Sequence, residues 1–74
     1  MAILGNKAET VGHLNHIIEA IENAGDEKSS EFLTSVHERA GEMLARIEQY
    51  RTCTLKQADT ARNWRNAVDK ALNS

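Results

Sequence analysis

Apolar side chains recur along the chain at the three- and four-residue intervals of an α-helix, in three blocks parted by short polar interruptions. In the first block Leu4, Val11, Leu14, Ile18 and Ile21 follow at spacings of seven, three, four and three, which places them on one helical stripe. Asn6 is positioned to cap this helix, with Glu9 three residues on completing a capping-box-like pattern. Asn23-Ala24-Gly25 is the stop, because Gly25 can take the left-handed backbone that ends helices. The first helix is expected over about residues 7–24.

In the second block Leu33, Val36, Ala40, Met43, Ile47 and Tyr50 repeat every three or four residues, and Phe32 and Leu44 broaden the stripe. Asp26, Ser29 or Ser30 can start this helix, and Glu27 and Glu31 suit the positive end of its dipole. The expected span is about 27–50. Thr52-Cys53-Thr54 then breaks the rhythm with poor helix formers, and Thr54 with Gln57 forms a capping box for a third helix over about 55–72. There Ala61, Trp64, Val68 and Ala71 keep the spacing, with Leu55, Ala58 and Leu72 at the edges. This third face is rich in alanine and buries little area per residue, so Trp64 is expected to supply most of its anchoring.

Two long helices joined at a Gly25-Asp26 corner predict an antiparallel hairpin, and the seven-residue repeat predicts shallow crossing. The fold class is all-α: a helical hairpin plus a third C-terminal helix, closed as a three-helix bundle or completed in a helical dimer, in a single domain over residues 1–74. The absence of proline and the presence of only three aromatic residues agree with helices rather than strands. A core this small rarely supplies more than roughly 3–5 kcal/mol without a staple. Cys53 is the only cysteine, which excludes an internal disulfide, and no Cys/His spacing suggests structural zinc. Close helix packing or self-association therefore has to make up the stability.

Nine basic against 11 acidic residues give a net charge of −2, too small to mark a nucleic-acid binder or mimic. The balance shifts along the chain, from Lys7 against Glu9, Glu19 and Glu22 near the start to Lys56, Arg62, Arg65 and Lys70 against Asp59 and Asp69 near the end. Met1-Ala2-Ile3-Leu4 is far short of a signal-peptide core, Ala2 breaks the myristoylation pattern, and no stretch nears the ~20 apolar residues of a membrane span. With a lone thiol and mixed charge, the expected location is the cytoplasm, without membrane attachment.

His13 and His16, three apart, share a helix face and could in principle reach one metal ion. They lie off the apolar stripe, and no carboxylate stands three residues before a histidine as a di-iron bundle requires, so solvated histidines are expected and no metal. His37, next to Val36, reads as an interface-edge or capping side chain rather than a catalytic base. Cys53 precedes a helix start near Arg51, a setting that activates thiols, yet no motif supplies an oriented base or oxyanion site. Glu38, Arg39, Glu42, Arg46 and Glu48 read as a solvated charged face. Gly12 and Gly41, in mid-helix and each four residues from an alanine, either admit a partner's backbone or are tolerated on the surface.

Residues 32–57 contain Phe32-Leu33-Thr34-Ser35-Val36, then Arg39, and after the interruption Leu55-Lys56-Gln57. This resembles a short pattern in small, mostly unassigned bacteriophage proteins, F-x-x-S on one helix and L-[ST]-x-K-Q opening the next, here without the positions between leucine and lysine. The resemblance covers about a third of the chain. It implies a phage or prophage origin, the host cytoplasm as the place of action and a helical accessory protein, and it transfers no active site.

The expected function is that of a non-catalytic protein-protein interaction module without cofactors, a homodimer that binds a host or phage protein through Leu33, Val36, Met43, Leu44, Trp64 and Val68. Broad stripes on two helices with a thin third cover leave apolar surface for a neighbour. The competing expectation is a nucleic-acid-binding regulator that presents Lys56, Arg62, Arg65 and Lys70 from its third helix to phosphates and base edges.

Overall fold

A computed structural model of the chain describes residues 4–25 and 30–73. Three helices account for nearly all of them: α1 (Lys7–Ala24), α2 (Glu31–Tyr50) and α3 (Leu55–Asn73). The bundle measures 43 × 20 × 18 Å. The expected all-α fold is what the chain adopts, as a three-helix bundle within one molecule. Residues 27–29, included in the expected second helix, lie outside the described residues.

Each helix starts where a side chain can satisfy its free amides. Asn6 Oδ1 accepts from Glu9 N at 2.9 Å, and Ser30 Oγ accepts from Leu33 N at 3.2 Å, so Ser30 is the cap among the three candidates. At α3 the capping box is reciprocal: Gln57 N donates to Thr54 Oγ1 at 3.1 Å and Thr54 N donates to Gln57 Oε1 at 2.9 Å. The C-terminal ends use positive φ. Gly25 (φ 72°, ψ −176°) follows α1 in a region open to glycine, and Arg51 (φ 57°, ψ 27°) closes α2 in the left-handed region.

The core consists of Leu14 and Ile17 from α1, Leu33, Val36, Ala40 and Ile47 from α2, Cys53 from the turn, and Ala61 and Val68 from α3. The expected stripe on α1 is displaced: Thr10, Leu14 and Ile17 are the buried residues there, while Val11, Ile18 and Ile21 are partly covered. The reason is position. α1 packs on both other helices, most extensively on α3, whereas α2 and α3 barely touch each other. A helix with two neighbours buries a wide arc, and a pattern drawn for one neighbour follows an edge of it.

One further expectation is corrected. Tyr50 ends the expected α2 stripe but is 68% exposed, while Ile47, one turn earlier, is fully buried. Trp64 is part-buried and packs against the core, in which Ala61 and Val68 of α3 are fully buried. Contacts between side chains give the helix directions. His13 meets Arg65 and His16 meets Asp69, so α1 and α3 run parallel, while His37 meets Glu22 across the antiparallel α1–α2 pair.

The chain entering α1 lies against the α2–α3 turn. Leu4 and Thr54 form an isolated antiparallel bridge, and Gly5 N donates to Cys53 O at 2.9 Å. A Cβ on Gly5 would stand 2.7 Å from Ala58 Cβ and 2.8 Å from Thr54 O, so glycine is required for this approach.

Candidate functional site

The chemistry-bearing residues on the α1–α3 face are committed to one another. Arg65 Nη1 lies 3.0 Å from His13 Nδ1. A guanidinium only donates, so Nδ1 must accept, and the ring hydrogen of neutral His13 sits on Nε2, which faces Glu9 Oε1 at 3.4 Å. One helical turn on, His16 Nε2 donates to Asp69 Oδ1 at 2.8 Å, while Arg65 Nε stands 4.0 Å from Asp69 Oδ2. The His13/His16 pair therefore ties α3 to α1, and no group of three metal-ligating side chains converges among the described residues. Sequence spacing could not reveal the partners, which are 52 and 53 residues away.

Cys53 is 2% exposed, and its thiol donates to Thr54 O at 3.4 Å. A thiol covered in this way offers no approach to a substrate.

The four basic residues of α3 do not form one surface. Arg62 is paired with Asp59 and Arg65 with His13 and Asp69, both turned toward α1. Lys56 and Lys70 are exposed but fourteen residues apart, about 21 Å along a helix axis. Of the six apolar residues expected at an interface, Leu33 and Val36 are 4% exposed and Val68 is 0% exposed, all inside the molecule's own core. Met43, Leu44 and Trp64 are part-exposed around that core.

Two of these three meet in one place. Because α2 and α3 scarcely touch, a groove of about 540 Å³ opens between them, lined by Arg39, Glu42, Met43, Arg46, Thr54, Lys56, Gln57, Thr60 and Trp64. Its size is that of a ligand or side-chain docking cleft. Met43 and Trp64 supply the apolar surface, and Thr54, Gln57 and Thr60 can hydrogen-bond an occupant. Arg39, Arg46 and Lys56 stand against a single carboxylate, Glu42, and none of the three cations is paired with an acid among the described residues.

The antiparallel course of α2 and α3 orders the lining. Arg46, Thr54 and Lys56 lie at the corner, Met43 and Thr60 midway, and Arg39 and Trp64 at the far end. The sequence marks Met43, Trp64 and Lys56 separately, but Arg39, Glu42 and Arg46 look like any solvated helix face until α3 is placed beside them.

Fold and groove together define the class: an all-α bundle of three helices with a cationic, part-apolar cleft on its α2–α3 side. No helix among the described residues is long and apolar enough to cross a membrane. No protein-family model matches this chain, and no curated protein or solved structure is significantly similar to it.

Proposed function

We propose that this protein is a small non-catalytic interaction module that docks a protein partner in the α2–α3 groove. The observation that carries the reading is the meeting of part-exposed Met43 and Trp64 in one cleft with three cations that have no acidic partner among the described residues. Interfaces are anchored by such pockets, with Trp and Arg most often the residues that dominate binding. The burial of Cys53 and the mutual commitment of the histidines support a binding role over a chemical one. The likeness of residues 32–57 to small phage helical proteins fits an accessory protein that acts on a host or phage partner.

Affinity capture from the producing cells tests this with two variants, one in the groove and one on an exposed face of α1. Thr60→Arg fills the groove, and Asn15→Arg adds the same charge on α1, which contributes nothing to the groove lining. Proteins captured by the wild type are expected to be lost with Thr60→Arg and kept with Asn15→Arg. Equal retention by both, or loss with Asn15→Arg alone, contradicts the reading.

A further inference from the structure

We infer that the groove's partner is an acidic amphipathic helix, seated with its most acidic turn at the α2–α3 corner and its largest apolar side chain against Trp64. This rests on the reading of the groove as a protein-docking face and adds the chemistry of what docks there.

The α2 wall carries Arg39, Glu42 and Arg46 at positions i, i+3 and i+7, on successive turns of one face. The two arginines are separated by about 10.5 Å along the axis, two helical turns. A helix laid along this wall presents its own side chains at the same interval, so carboxylates seven residues apart meet both arginines. The position between them faces Glu42 and Met43 and has to be apolar or basic, because a third carboxylate there would oppose Glu42.

The charge is also graded along the groove. Lys56 joins Arg46 at the corner, whereas Arg39 shares the far end with Trp64. The corner therefore attracts the densest negative charge, and the indole offers the broad apolar contact. A nucleic-acid strand fits less well: Glu42 stands in the middle of the wall, Trp64 is the single aromatic in the lining, and the whole chain carries a net charge of −2.

The test uses three synthetic helical peptides about 15 residues long. All share one leucine-bearing face and differ only in whether the two positions flanking it are Glu, Gln or Lys. Binding is followed by the NMR shifts of the Trp64 indole and of the Met43 and Thr60 amides. The Glu peptide is expected to shift these signals, and the Gln peptide to bind roughly tenfold more weakly, as loss of a few rim ion pairs implies. Added salt should narrow that difference. The variant R39E/R46E/K56E changes exposed side chains only, and it should reverse the preference toward the Lys peptide while keeping the helical circular-dichroism signal.

Equal binding of Glu and Gln peptides in the groove would overturn the acidic assignment and leave the docking face standing. No groove shift with any of the three would overturn both. A single-stranded oligonucleotide that shifts the groove signals more strongly than the Glu peptide would replace the protein partner with a nucleic acid.

Discussion

Gly12 and Gly41 lie within helices with no atom within 4 Å of where a Cβ would stand. Alanine at either position adds helix propensity without meeting a neighbour, so Gly12→Ala and Gly41→Ala should each stabilise the fold by about 0.5–1 kcal/mol in urea titrations. Gly5 is the opposite case. Its missing Cβ makes room for Ala58 and the Thr54 carbonyl, and Gly5→Ala should destabilise, since backbone has to move. Both helical glycines are thus clear of the molecule's own side chains. Thr10 presents a third situation, a buried hydroxyl with no hydrogen-bond partner among the described residues. Thr10→Val keeps the shape and removes the unsatisfied oxygen, and should raise stability by about 1 kcal/mol. A loss of stability would mean that the hydroxyl is satisfied in solution.

At the scale of elements, the bounds of α1 and α3 were legible because their signals are local. Asn6, Gly25 and the Thr54/Gln57 box each act within three or four residues of the helix end they define. Ser30→Ala should cost about 1 kcal/mol through loss of the α2 cap. Which face each helix buries was only partly legible. On α2, with one main neighbour, the stripe through Leu33, Val36, Ala40 and Ile47 is the buried one. On α1, between two neighbours, it is off by one residue, and Ile17 rather than Ile18 is fully covered. Ile17→Ala should therefore cost 2–5 kcal/mol, by order of magnitude the whole stability available to a core of this size, and leave the chain largely unfolded at 37 °C. Ile18→Ala should cost clearly less, and thermal melts of the two variants distinguish the centre of the arc from its edge.

The whole molecule explains why the candidate site was the least legible part. A groove between α2 and α3 depends on how far those helices stand apart, and that is set by α1 lying between them rather than by any pattern within either. Sequence offered Met43 and Trp64, which line the groove, as candidate interface residues, but it counted the enclosed Leu33, Val36 and Val68 with them, because spacing cannot tell which neighbour covers a stripe. With those three residues enclosed, the apolar surplus that argued for self-association is reduced to the part-buried side chains around the core, Met43, Leu44 and Trp64 among them, and the exposed Leu4, Phe32, Tyr50 and Leu55. The docking we propose on the α2–α3 side would use the part of that surplus that lies beside Arg39, Arg46 and Lys56. The most direct measurement is photo-crosslinking in the producing cells, with the reactive residue placed at Thr60 inside the groove or at Asn15 on α1. The account predicts a discrete protein adduct from Thr60 and none from Asn15; adducts from Asn15 alone, or none from Thr60 in cells that fold the protein, would contradict it.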